Sequence, residues 1–419
     1  MKLTTKMKLQ LSAMLILIIV MSLLIGLTPV INKKKISEHF YDYIKNDRIK
    51  NLVIKDANGK IIYDGGFSDN KKTRLSTFHL VGDLNGSLPS SLLTTYLSND
   101  ASISVLDGYH SEQHTINLTI DLDLQKAAYD LLTSYGVNGT VFVADYNTGA
   151  IKAMVSTPSV DVKSKKEPAD KAYLNKAAQA YTPGSVFKSI AIGALLEKSQ
   201  SYQSLTYTCN GKYEKVSCSS AHGAVTLEEA LYKSCNCGVA KCVSEHLSAE
   251  ELDAFAKKAG VTSTNLIVDY PIKAGVIDAS DDIRWSSDGQ SKDLVTPVTI
   301  ASYYGAIANN GRRKQFYYQQ SNANTSTKRI MEFRTSLFLQ TALTKGMTNW
   351  YSTRFNCSCF GKTGTAETGR GTDHSWFVCS LTDSNAPNYV IVIMLEEGGS
   401  STNAIKMTAR FVNNTILGG

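Results

Sequence analysis

The chain has 419 residues, of which 43% are hydrophobic and 19% are charged, so it is long enough for two or three domains and too apolar for a disordered protein. Its formal charge is +7. Six of the basic residues are lysines within the first 35 residues, which contain no acidic residue, and the rest of the chain is close to neutral. This distribution argues against a basic groove for nucleic acid.

An uncharged apolar run covers residues 9–32, with three lysines on each side. As a helix it would reach about 36 Å, which is enough to cross a hydrocarbon core of about 30 Å. A cleaved signal peptide also begins with basic residues and an apolar run, but no small-x-small cleavage site follows this one. We therefore predict an uncleaved transmembrane anchor over 9–32. The balanced lysines leave its orientation open.

A small region without recognisable chemistry follows over 33–110. It contains two short apolar runs, 52–56 and 60–64, on either side of an Asn-Gly turn signal. This pattern predicts a β-hairpin. The polar stretch 67–77 is predicted to be a loop.

The remainder of the chain alternates between strand and helix patterns. Asp121 precedes a helical apolar pattern over 122–135 and is predicted to cap that helix. Two strands, a long helical section, three strands and a last helix indicate an α+β fold. In this fold the first hairpin pairs with strands more than 200 residues later, and a helical subdomain is inserted into one antiparallel sheet. The predicted strands are 140–146, 150–156, 360–366, 374–381 and 388–396, and the further predicted helices are 183–198, 226–247, 249–259, 296–309 and 402–417.

The first chemically loaded motif is Ser-x-x-Lys at Ser185 and Lys188. Thr182 is predicted to cap the helix and Pro183 to occupy its first position. Ser185 and Lys188 then share one face of the first turn, where a lysine can act as the base for a serine nucleophile. Taken alone the motif is weak, because a second copy lies in the polar stretch at 68–71.

Two further motifs follow in the chain. Ser234 and Asn236 form a Ser-x-Asn triplet, which offers a hydroxyl for proton relay and an amide for a substrate carbonyl, although a polar turn beside a helix would look the same. Lys362, Thr363 and Gly364 form the only Lys-Thr-Gly of the chain. On a strand, this triplet presents a cation and a hydroxyl, while the glycine lets a ligand backbone approach the strand edge.

Ser-x-x-Lys on a helix, then Ser-x-Asn, then Lys-Thr-Gly on a strand is a specific order. With it the sequence resembles the class B penicillin-binding proteins, which are membrane-anchored D,D-transpeptidases that cross-link peptidoglycan. The resemblance implies a transpeptidase/β-lactamase-like fold over 111–419, with a five-stranded antiparallel sheet, flanking helices and an inserted helical subdomain. The small region 33–110 would be a shortened, non-catalytic N-terminal part. Further segments that match the family are 118–125, 148–159, 221–223, 296–297 and 374–377.

The resemblance also implies a role for each motif residue. Ser185 attacks the carbonyl between the two terminal D-alanines of a stem peptide, and Lys188 takes its proton. Ser234 and Lys362 return a proton to the leaving nitrogen, and Asn236 positions the peptide amide. The substrate-binding residues implied at the third motif are Thr363, Gly364 and Thr365, of which the hydroxyls of Thr363 and Thr365 would hold the substrate carboxylate. The backbone N–H groups of Ser185 and Thr365 would form the oxyanion hole.

The implied substrate also gives the orientation and the partners. A peptidoglycan stem peptide lies outside the cytoplasm, so residues 1–8 are expected to be a cytoplasmic tail and the catalytic domain is expected to be external. β-Lactams are expected to acylate Ser185, and a glycosyltransferase is the expected partner in the membrane. No cofactor is expected.

Three other functions share parts of this pattern. A D,D-carboxypeptidase differs only in using water as the acceptor. A serine β-lactamase has the same three motifs, but no Glu-x-x-x-Asn that would activate a deacylating water lies between Ser234 and Lys362. A non-enzymatic β-lactam sensor is the third alternative, against which the intact motifs argue.

The eight cysteines give no clear metal motif. A zinc reading lacks Cys-x-x-Cys spacing, so we expect no metal. An external domain can form disulfides, and Cys209 with Cys218 across a short loop is the expected pair. Cys235 is interpreted as a packing residue, and His222 and His374 as structural. The residues that such a zinc reading would use are Cys237, Cys242, His246, Cys357 and Cys359.

Overall fold

The structure is a computed structural model. It divides into two units, residues 1–52 with 97–114, and residues 53–96 with 115–419. Parts of the predicted tail 1–8 and of the predicted region 33–110 lie outside the described residues. The described residues are 5–31, 33–98, 113–278, 282–290, 292–323, 325–369 and 371–418.

The first unit contains two helices, α1 (Thr5–Ile31) and α2 (Lys33–Lys50). The helix α1 covers most of the predicted anchor 9–32. The prediction of a transmembrane span is nevertheless not borne out, since among the described residues no helix is long and apolar enough to cross a bilayer.

The second unit begins with the predicted hairpin, which is confirmed as β1 (Leu52–Lys55) and β2 (Ile61–Asp64). Asp56 closes its turn, because its Oδ1 accepts hydrogen bonds from the backbone N–H groups of Asn58 and Lys60. The loop predicted over 67–77 is wrong. Most of it belongs to a helix, and the polar residues of the first turn of this helix led to the prediction of a loop. The following elements are the helices α3 (Lys71–Val81) and α4 (Leu92–Ser98) and the strand β3 (His114–Asn117).

The missed helix α3 has a clear physical origin. Its N-cap is Asn70, whose side chain accepts a hydrogen bond from the Thr73 N–H. Its second half is buried, with the apolar Phe78 and Leu80 almost inaccessible. An Asn cap followed by a polar turn and then by buried apolar residues is a helix signal.

A five-stranded antiparallel sheet forms the centre of the second unit, as predicted. The first hairpin joins the late strands through the register Tyr389↔Asp145 and Ile393↔Val141. The α+β interpretation with its long-range pairing is therefore confirmed. In spatial order the strands are Cys359–Ala366, His374–Leu381, Tyr389–Leu395, Gly139–Asp145 and Ile151–Thr157.

Both faces of this sheet are buried, which explains why its strands read as continuous apolar runs. One face packs on the helices 122–134 and 401–411, in a core that includes Leu132, Phe377 and Phe411. The capping of the first of these helices by Asp121 is confirmed. The opposite face packs on the helix 297–308, as the hydrogen bond from Ser380 Oγ to Tyr304 O shows.

The helical section between the strands differs from the prediction in two places. The predicted helix 183–198 begins with a 3-10 turn, Gly184–Phe187, and Thr182 does not cap it. The predicted helix 226–247 is broken at 233–235. The helices of the second unit after β3 are Leu122–Ser134, Lys188–Lys198, Leu227–Tyr232, Asn236–His246, Ala249–Ala259, Ile283–Ser287, Pro297–Ala308, Phe333–Lys345 and Ser401–Phe411, and the small outer strands are Thr206–Cys209, Lys212–Tyr213, Val216–Ser217, Gly223–Thr226, Arg312–Lys314 and Thr327–Arg329.

Candidate active site

Ser185 lies on the tight turn that precedes the helix 188–198, pressed against the first strand of the sheet. Gly184 makes this turn possible, because its φ is +58° and a Cβ there would lie 2.5 Å from Thr365 O. On the strand side, a Cβ on Gly364 would lie 2.9 Å from Pro183 O. The two glycines let the backbones touch, and Ser185 therefore sits next to the strand that carries the third motif.

Lys188 is the polar centre of the site and is fully buried. Its Nζ lies 2.6 Å from Ser185 Oγ and 2.7 Å from Asn236 Oδ1. The third neighbour is Asp288, whose Oδ1 lies 3.3 Å away. As an ammonium, Lys188 would donate to the first two oxygens and form an ion pair with the carboxylate. If the amine is neutral instead, its lone pair can take the proton of the serine hydroxyl.

The Ser-x-Asn triplet occupies the break between the helices 227–232 and 236–246. Ser234 adopts a φ of +57°, which is rare for a residue with a side chain. Asn236 is tied to the neighbouring loop by a 2.8 Å hydrogen bond from its Nδ2 to Ser217 O. This bond leaves its Oδ1 for Lys188. Both side chains at the break in the predicted helix thus contact a lysine of the site, Ser234 contacting Lys362 and Asn236 contacting Lys188.

Lys362 approaches the same point from the strand and is fully buried. Its Nζ donates to Ser234 Oγ over 2.9 Å and to Thr363 O over 3.0 Å. Burial lowers the pKa of Lys362 well below its ordinary value, and the nearby Lys188 charge lowers it further. The Lys362–Ser234 pair can therefore pass a proton towards the cleft.

The two threonines of the third motif have different surroundings. Thr363 places its hydroxyl 3.2 Å from the hydroxyl of Tyr351. Thr365 lines the cleft, and its Oγ1 accepts a 3.3 Å hydrogen bond from the Ser401 N–H.

The cleft in front of Ser185 has a volume of about 560 Å³, within the range of small-molecule sites. Five of the eight predicted site residues line it, and Lys362 reaches it through Ser234. Gly364 lies beneath the serine turn and Thr363 faces Tyr351. The lining residues that the sequence predicted are Ser185, Lys188, Ser234, Asn236 and Thr365, and those that it missed include Trp285, Asp288 and Gln290. Trp350, an aromatic residue close to the third motif that the sequence offered as a cleft residue or a core residue, also lines it.

Asp288 is the missed residue that bears most directly on the chemistry. It is buried beside Lys188, and burial raises its pKa to about 6, against the lowering effect of the Lys188 ammonium. Gln290, two residues on, places its Nε2 3.4 Å from Thr365 O. Neither residue belongs to a recognisable motif, so only the fold brings them to the site.

A cysteine and histidine cluster borders the cleft. Within the part of the chain that the structure describes, Cys209, Cys218, His222 and Cys235 place their ligand atoms within 4.8 Å of one another and could hold a metal ion. This is not the set that the zinc interpretation of the sequence used. The expected disulfide is also wrong, because Cys209 and Cys218 are free thiols with their sulfurs 3.8 Å apart. The sequence feature that could have indicated this cluster is three cysteines and a histidine within 27 residues, at a spacing that matches no common metal motif.

The chain is similar to known proteins in sequence and in fold. The family described as the penicillin binding protein transpeptidase domain matches residues 139–417. The peptidoglycan D,D-transpeptidase PbpA of Mycolicibacterium smegmatis is 26% identical over 344 residues, which cover 69% of this chain and 68% of that protein.

Two solved structures share the fold. The D,D-transpeptidase domain of a peptidoglycan glycosyltransferase from Eggerthella lenta superimposes with a TM-score of 0.72 at 23% identity, over 87% of this chain and 98% of that one. Penicillin-binding protein A of Mycobacterium tuberculosis, as a ceftriaxone acyl-enzyme complex, gives a TM-score of 0.68 at 19% identity, over 88% of this chain and 99% of that one.

Proposed function

The chain belongs to the penicillin-binding protein transpeptidase family, and from this premise we propose that it cross-links peptidoglycan stem peptides through an acyl-enzyme on Ser185. The observation that carries the proposal is the 2.6 Å separation of Ser185 Oγ and Lys188 Nζ at the floor of the cleft. A serine hydroxyl within hydrogen-bond reach of a buried amine is the arrangement of an activated nucleophile.

Acylation begins when neutral Lys188 takes the proton of Ser185 and the serine oxygen attacks the carbonyl carbon between two D-alanines. The carbonyl oxygen becomes an oxyanion, which we assign to the backbone N–H groups of Ser185 and Thr365. The packing of the serine turn on the strand supports this assignment, since it brings the two backbones together. Each such donor stabilises a transition state by roughly 3–4 kcal/mol.

The leaving D-alanine needs a proton on its nitrogen when the C–N bond breaks. We assign its delivery to Ser234, with Lys362 replacing the proton that the serine hydroxyl gives up. The 2.9 Å hydrogen bond between these side chains supports the relay. The amine of a second stem peptide then attacks the acyl-enzyme and loses a proton through Ser234 to Lys362, which gave one up during acylation. Lys188 returns the proton that it holds to the Ser185 oxygen, which leaves as the new amide forms.

Substrate binding is assigned to the polar groups around the nucleophile. Asn236 holds the peptide amide, and the hydroxyl of Thr365 binds the terminal carboxylate. Thr363 and Gly364 are proposed to bind the substrate through the strand backbone, because the strand lies at the edge of the sheet. β-Lactams resemble the terminal dipeptide and carry a carboxylate, so the same groups would place their carbonyl at Ser185.

The surroundings of this reaction form a separate proposal. The substrate implies that the catalytic domain works outside the cytoplasm, and the uncharged run 9–32 supports attachment to the cell membrane with 1–8 as a cytoplasmic tail. On this view 33–110 is a non-catalytic region, 111–419 is the transpeptidase domain, and a membrane glycosyltransferase supplies the glycan strands.

The test is labelling by a fluorescent penicillin, followed by mass analysis of the intact protein. Ser185→Ala should abolish the label, and the wild type should gain the mass of one penicillin. Ser220→Ala, a change in another serine of the cleft wall, is the matched control and should label normally. Persistent labelling of Ser185→Ala would overturn the assignment. Continuous nitrocefin turnover in place of stoichiometric trapping would indicate a β-lactamase.

A peptide ending in D-Ala-D-Ala distinguishes the remaining alternatives. With an added amine acceptor, the proposed transpeptidase should form the new amide in excess over the hydrolysed peptide. Hydrolysis alone at every acceptor concentration would indicate a D,D-carboxypeptidase, and release of no D-alanine would indicate a sensor.

A further inference from the structure

Beside the catalytic serine triplet, four side chains converge on one point. They are Cys209, Cys218, His222 and Cys235. The sulfur of Cys218 lies 3.8 Å from that of Cys209 and 3.8 Å from that of Cys235. The Nδ1 atom of His222 lies 3.6 Å from the Cys209 sulfur.

These separations are those of a tetrahedral zinc site. With Zn–S bonds of about 2.3 Å and a Zn–N bond of about 2.0–2.1 Å, a regular tetrahedron has S–S edges of about 3.8 Å and S–N edges of about 3.6 Å. The three distances above match these edges, and the other pairs of ligand atoms also lie within 4.8 Å. A disulfide, by contrast, requires sulfurs about 2.05 Å apart.

Backbone donors around the cluster are arranged for thiolates. The Cys237 N–H donates to the Cys218 sulfur over 3.4 Å, and the Gly238 N–H donates to the Cys235 sulfur over 3.3 Å. Cys235 is also the N-cap of the helix 236–246, where the helix dipole favours a negative charge. Such outer hydrogen bonds orient metal ligands and stabilise their charge. The nearby Cys237 sulfur lies 3.5 Å from that of Cys218, and its thiol also donates to Val216 O over 3.6 Å.

We propose that Cys209, Cys218, His222 and Cys235 bind one Zn²⁺ ion. Three thiolates and an imidazole select zinc among the common divalent cations, and on binding the thiols release their protons to solvent. Four protein ligands leave no open coordination position, so the ion is structural and does not act on the substrate. Cys209 and Cys235 are fully buried, while Cys218 and His222 border the cleft.

The ion has a specific mechanical role, which rests on the proposed function. It ties Cys235, the residue between Ser234 and Asn236, to the loop in which Ser217 accepts the hydrogen bond of Asn236. Ser234 holds a strained φ of +57°, and such a conformation persists only where its surroundings fix it. The zinc site thus positions Ser234 and Asn236 against the two lysines.

The first test measures the metal itself. Full-length wild type, purified under reducing conditions without chelator, should contain one zinc per chain by elemental mass spectrometry. Cys218→Ser and His222→Ala should lose it, and Cys357→Ser, a change in a thiol outside the cluster, should keep it. Since a ligand variant can also fail to fold, chelator-stripped wild type is titrated with Co²⁺, which should give the visible absorption of a tetrahedral thiolate site. Wild type that neither contains zinc nor binds Co²⁺, or a Cys209–Cys218 disulfide in the reduced preparation, would overturn the proposal.

The second test measures positioning by the rate of penicillin acylation of wild type. Stripping the metal should slow acylation roughly tenfold, and returning Zn²⁺ should restore it. A rate that is unchanged by metal in a protein that binds zinc would refute the positioning role. These outcomes are separate from a failure of the proposed function, because metal content is measured without penicillin. If Ser185 is not the nucleophile, penicillin should not acylate it with or without metal.

Discussion

Replacing Gly184 with alanine is predicted to slow catalysis, because it displaces the backbone at the nucleophile. The residue has a φ of +58°, and its α-carbon faces the strand that carries Thr365. Alanine in this left-handed region costs about 1–2 kcal/mol of folding free energy. Gly136 provides the matched control, because its φ of +64° imposes the same strain while a Cβ there meets nothing within 4 Å.

The difference between the two sites is the contact with the strand. At Gly184 the added Cβ would lie 2.5 Å from Thr365 O, and ordinary contact begins at 3.4 Å, so turn and strand must move apart by about 0.9 Å. This movement separates the two backbone N–H groups that we assign to the oxyanion hole. A misplacement of about 1 Å at a reacting centre reduces the rate by roughly 100-fold.

The assay combines the acylation rate with a fluorescent penicillin and unfolding in urea. Gly136→Ala should lose about 1–2 kcal/mol of unfolding free energy. Gly184→Ala should lose more, because it also displaces the strand backbone, and only Gly184→Ala should acylate roughly 100-fold more slowly. If Gly184→Ala acylated as fast as Gly136→Ala, the close approach of turn and strand would not matter for catalysis and the reasoning would fail.

Three further substitutions test buried charges. Burial raises the pKa of Asp293 from 3.8 to about 7, so its contribution to stability is fully present below about pH 4 and is lost as the pH rises through about 7. In urea unfolding, the wild type should lose about 4 kcal/mol of unfolding free energy over this window relative to Asp293→Asn. A difference between the two proteins that does not change with pH would contradict the shift. Lys362→Met removes a buried amine whose pKa burial lowers well below its ordinary value, so the free energy of unfolding of the variant should be about 1–4 kcal/mol higher than that of the wild type. The variant should nevertheless acylate at least about 100-fold more slowly, because Ser234 loses its proton source, and fast acylation would exclude the relay. Arg74 forms a bidentate pair with Asp161 at 2.7 and 3.1 Å, and both side chains are nearly buried; Arg74→Ala should lower the free energy of unfolding by about 3–5 kcal/mol, with Arg74→Lys in between, and equal losses would argue against the bidentate geometry.

The central sheet could be predicted from the sequence because its strands are buried on both faces. Strands such as 140–146 and 388–396 are continuous apolar runs, so their type and limits are visible without knowledge of their partners. The pairing of strands more than 200 residues apart followed from topology alone, since each late strand needs a neighbour in the same sheet.

The places where the prediction failed are those where tertiary contacts override local preference. The residues 226–247 have a helical pattern throughout, yet the helix breaks at 233–235 and Ser234 adopts a positive φ. The local sequence favours no break, and the energy that sustains it comes from Lys362, Lys188 and Ser217, which are distant in sequence. Functional sites are where such conflicts between local and global preference occur.

The buried charges of the cleft come from the motif lysines and from one residue outside the motifs, so the motifs alone do not define the site. The motifs supply two lysines, Lys188 and Lys362, both fully buried, and two unbalanced buried cations would be costly. Asp288, which no motif contains, lies beside Lys188, and with a pKa of about 6 it is ionised at neutral pH. One buried carboxylate against two buried amines leaves the floor of the cleft with a surplus of positive potential when both amines are protonated. Such a floor attracts a carboxylate, the group that stem peptides and β-lactams share. Asp288 balances one of the two charges that attract it, so the strength of this attraction depends on a residue that only the fold brings into place.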